Sequence, residues 1–272
     1  MFRKFLSRLI IAIKRKGFFY TIKKIPQKIK KQKSIFNFHR TLELNKVLNK
    51  CSQMPDSVSY IANYPLDINL IERSKVLNAL CFGIYDDVEF ELKIHNLGFN
   101  VYSYDPTPVT KKMFEGNQDL QSKITHHDFG VWTQDGLIKF YETAATEGLN
   151  GKEYSIINID NNYNYLEMEC KKISTIINDL KLKSIDYMKL DIEGAVPAVL
   201  NSYFGDKNNL ILPKQISFEL EFPKNSKSNS FKEMIELSLE LLSNMEKRYD
   251  LYYLSKEDLF SQLIIYARIK QA

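Results

Sequence analysis

Residues 186–194 read Asp186-Tyr187-Met188-Lys189-Leu190-Asp191-Ile192-Glu193-Gly194. A short apolar run ends in two carboxylates one residue apart, and a glycine follows. Open α/β sheets present ligand-binding groups at the carboxyl ends of buried parallel strands. The stretch therefore predicts such a strand, with Asp191 and Glu193 at a ligand site. A matching arrangement stands upstream. Leu80-Cys81-Phe82-Gly83-Ile84 reads as a strand running into a turn, and Asp86 and Asp87 precede a helical pattern. Phe99 to Tyr104 reads as a second strand, ending in Asp105-Pro106. Together these stretches predict an α/β domain that takes a nucleoside.

Outward from these anchors the chain alternates. Strands are expected near 76–83, 99–104, 122–127, 185–190 and 214–222, and late strands at 249–254 and 262–269. Helices are expected near 87–97, 107–116, 171–180, 195–203 and 231–247. Residues 128–170 read as irregular, with short strands at Leu137–Tyr141 and Ser155–Ile159 and a polar insertion at Asn161–Tyr165. Residues 36–50 read as helical and 51–75 as a mixed lead-in. Strands alternating with helices imply a mostly parallel sheet covered on both faces.

The chain of 272 residues suits one large domain with an extension, divided here as 1–50 and 51–272. Three widely spaced cysteines, Cys51, Cys81 and Cys170, offer neither metal-ligand spacing nor a disulfide framework and point to a reducing cytoplasm. Charge is unevenly spread. Of 38 basic residues, 12 fall within residues 1–33, where no acid occurs, leaving 26 against all 33 acids in the remainder. In this arm Phe2, Phe5, Leu6, Leu9, Ile10 and Ile13 recur at helical spacing, with Arg3, Lys4, Arg8 and Arg15 mostly on the other side. Two readings follow: a helix packed on the domain, or a basic amphipathic helix lying at an anionic membrane surface. Its uncharged run is too short to span a bilayer. Nucleic acid is a less favoured partner, because the arm lacks a recognition motif or interleaved stacking aromatics.

The candidate chemistry sits at the strand ends. Asp105 closes the second strand, where an acid can accept hydrogen bonds from ribose hydroxyls. The first turn holds a single glycine, Gly83, whereas a dinucleotide turn uses three to admit a pyrophosphate. A ligand without pyrophosphate, such as S-adenosylmethionine, fits better, with Asp86 or Asp87 holding its ammonium. Asp87 is equally placed to cap the following helix. His126 and His127 are adjacent on a strand and face opposite ways, so they do not form a bidentate metal site. Asp128 could accept from an adenine amino group. Asp191 and Glu193 could act as a general base, hold a cation or cap the next helix, whose first turn accommodates Pro197. Glu219 and Glu221 lie on one face of an apolar strand and need partners there.

Cys81-Phe82-Gly83-Ile84 with Asp87, Phe90 and Glu91, then Asp105-Pro106-Thr107, Asp128-Phe129-Gly130-Val131-Trp132 and Lys189-Leu190-Asp191-Ile192-Glu193-Gly194-Ala195 occur in a telling order. Over roughly residues 76–222 the chain resembles the FkbM-type S-adenosylmethionine-dependent methyltransferases. The resemblance implies a Rossmann-like class I methyltransferase fold with a seven-stranded sheet whose last strand is antiparallel. It also implies S-adenosylmethionine as donor and a hydroxyl of a sugar, glycan or other small metabolite as acceptor. Asp191, Glu193 and Glu221 become the candidate catalytic acids, with no metal ligand set. Gly83, Asp86, Asp87, Asp105 and Asp128 become the candidate donor contacts. Tyr85, Val196 and Glu221 depart from the family pattern. The alternative is an inactive methyltransferase-fold binding protein associated with the inner face of the membrane.

Overall fold

The computed structural model describes residues 40–72, 75–142, 154–156, 164–206, 211–223, 227–254 and 262–271. The basic arm, the C-terminal part of the expected strand at 155–159 and most of the polar insertion lie outside them. The chain divides into Met1–Asn45 and Lys46–Ala272. Residues 40–48 are helical. The strands, and the helices between them, belong to the second unit.

Its strands are β1 (Ser52–Gln53), β2 (Ser59–Ile61), β3 (Tyr64–Leu66), β4 (Leu77–Phe82), β5 (Phe99–Tyr104), β6 (Ile124–His127), β7 (Gly130–Val131), β8 (Gly136–Glu142), β9 (Tyr154–Ser155), β10 (Tyr165–Lys171), β11 (Tyr187–Leu190), β12 (Gln215–Glu221), β13 (Tyr249–Leu254) and β14 (Gln262–Ile269). The helices that join them are α1 (Glu89–Asn96), α2 (Pro108–Phe114), α3 (Gln118–Lys123), α4 (Ile173–Asp179), α5 (Val196–Gly205) and α6 (Asn229–Met245).

The main sheet runs in the order β1-β13-β14-β12-β11-β4-β5-β6. Strands β12, β11, β4, β5 and β6 pair in parallel, and β14 is antiparallel to both of its neighbours. This is the Rossmann-like methyltransferase arrangement that the resemblance implies, with one strand beyond the expected seven. The extra strand is β1, a two-residue piece of the lead-in that pairs in parallel with β13. Every residue of β4 and β11 is buried, which is why both read as unbroken apolar runs and not as alternating strands.

The chain departs from the sequence reading in three places. Residues 118–123 are helical because the Asn117 side chain accepts from the Leu120 amide and caps a short helix, so β6 begins only at Ile124. The lead-in holds a hairpin, β2–β3, whose two-residue turn puts Ala62 and Asn63 at φ of 43° and 71°. Such turns favour Asn-Gly, so Ala-Asn gives a weak signal. The described residues within 128–171 are more ordered than expected: besides the strand foreseen near 137–141, β7, β9 and β10 join it in a second sheet, in the order β7-β10-β8-β9. Its inner face buries Phe140, Met168 and Cys170 against Trp132, Ile138, Tyr154 and Ile156.

Candidate functional site

The turn after β4 is built around Gly83. Its φ is +78°, and a Cβ there would stand 1.7 Å from the Asp191 carbonyl oxygen. Only glycine lets the ends of β4 and β11 approach this closely. The turn is fixed from beneath by Lys189, whose Nζ donates to the Gly83 carbonyl at 3.0 Å and to Glu91 Oε1 at 3.2 Å. Burial alone would lower the Lys189 pKa, but Glu91 and Asp191 reverse the effect and raise it, so the ammonium stays charged.

Asp105 stitches the same turn from the side. Its Oδ2 accepts from the Ile84 and Tyr85 amides, both at 2.9 Å. Its Oδ1 accepts from the Thr107 amide at 2.8 Å and the Thr107 hydroxyl at 2.6 Å. Thr110 adds a bond from its hydroxyl to the Tyr85 carbonyl at 2.6 Å. These bonds hold Tyr85 at φ +56°, a conformation that costs a non-glycine residue energy.

At the end of β11, Asp191 Oδ2 accepts from the Tyr64 hydroxyl at 2.7 Å, and Glu219 Oε1 lies 3.4 Å from the same hydroxyl. Burial, then the charges of Asp191 and Glu219, holds the phenol far above its usual pKa, so it stays a donor. Glu193 and Gly194 follow at φ of 43° and 77°, and the Glu193 carbonyl accepts from the Ser155 hydroxyl at 2.9 Å.

These groups border a cavity of about 330 Å³ at the carboxyl ends of β4, β5, β11 and β12. That volume lies within the span of small-molecule sites. The second sheet supplies another wall through Gly130, Val131, Phe140, Tyr154, Ser155 and Ile156. Of the residues expected at a ligand site, Gly83, Asp105, Asp191 and Glu193 line this cavity, and Glu219 joins them.

The others are placed elsewhere. Asp86 and Asp87 are exposed and outside the lining, and Asp87 Oδ1 instead accepts from the Glu89 amide at the start of α1. Asp128 also stands outside, half-exposed, with Lys111 Nζ at 3.3 Å and His126 Nε2 at 3.2 Å. Glu221, the last residue of β12, does not reach the lining, whereas Glu219 one pleat earlier does. Asp105 is in the wall, but a carboxylate offers about four acceptor positions. Protein donors fill all four, so the expected ribose bonds would have to displace one.

His126 and His127 serve packing. His126 stacks on Phe114 at 4.3 Å, with its Nδ1 3.0 Å from the Ser103 hydroxyl, and His127 stacks on Tyr104 at 4.9 Å. Ser103, His126 and Asp128 thus form a chain, but Ser103 is wholly buried and cannot meet a substrate as a nucleophile. Burial lowers the pKa of both histidines, against the opposing pull of Asp128.

Sequence reading missed Tyr64 and the Lys189–Glu91 pair. The pair had a signal, since each is the one charge on an otherwise apolar core surface, between Met188 and Leu190 and beside Phe90. Tyr64 had none, because an unread hairpin carries it.

Residues 73–249, more than half of the chain, match the family described as the Methyltransferase FkbM domain. Among solved structures, the chain is similar to methyltransferase FkbM from Methylobacillus flagellatus KT, with 13% identity and a TM-score of 0.44, covering 79% of this chain and 48% of that one. This chain therefore spans about half the length of that protein. It is also similar to a putative caffeoyl-CoA O-methyltransferase from Staphylococcus aureus, with 10% identity, a TM-score of 0.41, and coverage of 74% and 79%. A third is the N-terminal domain of human METTL16 in complex with SAH, with 10% identity, a TM-score of 0.38, and coverage of 86% and 82%. A search of curated proteins finds no match.

Proposed function

The chain belongs to the FkbM methyltransferase family, and from that premise we propose that it transfers a methyl group from S-adenosylmethionine to a hydroxyl of a neutral sugar, glycan or similar small metabolite. The observation that carries this reading is the cavity at the strand ends, with Asp191 beside the glycine turn. The residues present suit the donor. Gly83 brings the ends of β4 and β11 together at the edge of the cavity, and the lining carries Asp105, Asp191, Glu193 and Glu219. Their combined field favours a cationic donor and a neutral acceptor over a phosphate-rich one.

The bound donor supplies an electrophilic methyl on a sulfonium. The protein's part is to hold the acceptor hydroxyl at attack distance and to receive its proton. Asp191 is the acid we assign to that proton. It lines the cavity, and its Oδ1 has no protein partner among the described residues. Gly83 and the Ile84–Tyr85 turn hold the donor, and Asp105 contributes by fixing that turn. Phe140, Tyr154 and Ile156 face the acceptor and set its shape.

Incubation of the purified chain with methyl-labelled S-adenosylmethionine and a panel of neutral glycans, RNA and small amines tests the reading. Label in an alkali-stable ether on a glycan is the expected result. Transfer to RNA or an amine alone contradicts it.

For residues 1–33 we infer contact with an anionic membrane surface at the cytoplasmic face, supported by their 12 basic residues without an acid. Among the described residues no helix is long and apolar enough to cross a membrane. Full-length chain should bind anionic vesicles at low salt, and a chain starting near residue 34 should not. Equal binding by both removes the arm from this role.

A further inference from the structure

Tyr64 lies upstream of the residues that match the family, yet its hydroxyl reaches the carboxylate at the end of β11. We propose that Tyr64 is a positioning residue for Asp191, delivered by a hairpin that precedes the family domain and completes its site. The inference rests on the reading of Asp191 as the acid that faces the reacting groups.

The hairpin is strapped to the sheet by polar side chains. The Tyr187 hydroxyl donates to the Pro65 carbonyl at 2.7 Å, and the Ser217 hydroxyl donates to it at 3.2 Å. Gln215 exchanges two bonds with Asp67, accepting from its amide at 2.8 Å and donating to its carbonyl at 3.3 Å. Arg268 donates to Asp67 Oδ2 at 3.3 Å. Four residues on β11, β12 and β14 are thus committed to the backbone and one side chain of a short segment. Buried polar groups are satisfied in this way when a specific placement is held.

What they place is the Tyr64 ring and its hydroxyl. The ring meets Phe90 edge-on at 5.2 Å, and the Lys189 ammonium sits 4.9 Å from its centroid. The ring is therefore clamped between α1 and the buried ion pair that also holds Gly83. Its hydroxyl has one proton and two carboxylates within reach. The shorter contact, 2.7 Å to Asp191, takes that proton, with Glu219 at 3.4 Å. A donor that never ionises pins Asp191 Oδ2 and leaves Oδ1 as the oxygen that meets a ligand.

The test uses the full chain and two probes, S-adenosylmethionine and S-adenosylhomocysteine, titrated by calorimetry. They differ by the methyl and its positive charge, so the ratio of their affinities reads how an anionic group faces the sulfonium. Asp191→Asn should lower the ratio. Tyr64→Phe keeps the ring and removes only the hydroxyl. It should lower the ratio at least about threefold, on the scale of one charge-assisted hydrogen bond in a partly screened site. It should leave the affinity for S-adenosylhomocysteine within about twofold, because uncharged contacts are untouched. In the Asp191→Asn background Tyr64→Phe should change nothing further. If Asp191→Asn lowers the ratio and Tyr64→Phe does not, or if Tyr64→Phe acts equally in both backgrounds, the positioning role is overturned while the reading of Asp191 stands. If Asp191→Asn leaves the ratio unchanged, that reading falls, and the inference falls with it.

Discussion

Two parallel strands, β5 and β11, each end in an aspartate at the same cavity, and the two aspartates are used differently. Asp105 accepts four hydrogen bonds from Ile84, Tyr85 and Thr107 and is spent on building a wall. Among the described residues Asp191 accepts one side-chain bond, from Tyr64, and under the proposed reading its other oxygen faces the ligand. An acid at a strand end marks the place where ligands bind but not which acid meets them. The local supply of backbone donors decides that. The turn after β4 points two amides at Asp105, whereas at Gly83 the turn meets the main-chain carbonyl of Asp191 and offers its carboxylate no amide.

The ground beneath both ends is Lys189 with Glu91. Lys189→Met should cost about 3–5 kcal/mol of stability, because it leaves a buried carboxylate without its partner. Donor binding should be lost along with the Gly83 turn. Chemical denaturation with a parallel calorimetric titration checks both, and a stable variant that binds normally would uncouple the pair from the site.

Asp191→Asn sharpens the contrast most. It keeps shape and hydrogen bonding but removes the charge, so methyl transfer should fall by about 10²-fold or more. Donor affinity should change far less. Once the acceptor is known, initial rates at saturating donor give the answer, and near-normal turnover would move the proton acceptor to another carboxylate.

Asp105→Asn should act the other way round. An amide nitrogen placed against Ile84, Tyr85 or Thr107 donors costs about 1–3 kcal/mol, appearing in stability first. Donor affinity should weaken only as the turn loosens. An affinity loss without a stability loss would mean that Asp105 touches the ligand directly.

The smallest effect concerns the histidines that close the β5–β6 side. Burial lowers their pKa in the fold from a usual 6.5, so the unfolded chain binds the extra protons as pH falls through that value. Stability should therefore be full above pH 6.5 and decline below it. Thermal melts at pH 7.5 and 5.5 should give the lower melting temperature at pH 5.5. His126→Gln should shrink the difference. An equal decline in the variant would assign it to other groups.

The sequence carried the parallel core well, because strands buried on both faces must be apolar runs, the turns that follow them hold Gly83 and Pro106, and Pro197 opens a helix. It carried the second sheet poorly. In β10, Glu167 and Glu169 alternate with Met168 and Cys170 and follow a polar stretch, so a one-sided strand read as irregular chain. At the site, Gly83 and the acids at the strand ends were legible because they are local. Three things were not, since each depends on a partner outside the local stretch: the Ile84 and Tyr85 bonds that complete Asp105, the retreat of Asp128 toward Lys111, and the approach of Tyr64 across 127 positions to Asp191.

The difference between the two aspartates can be seen directly in a crystal structure of the full chain with S-adenosylhomocysteine. The ligand is expected in the cavity beside Gly83, its sulfur facing Asp191, with Asp105 still bonded to the Ile84 and Tyr85 amides. A ligand whose ribose has taken Asp105 from those amides, with its sulfur turned away from Asp191, would contradict it.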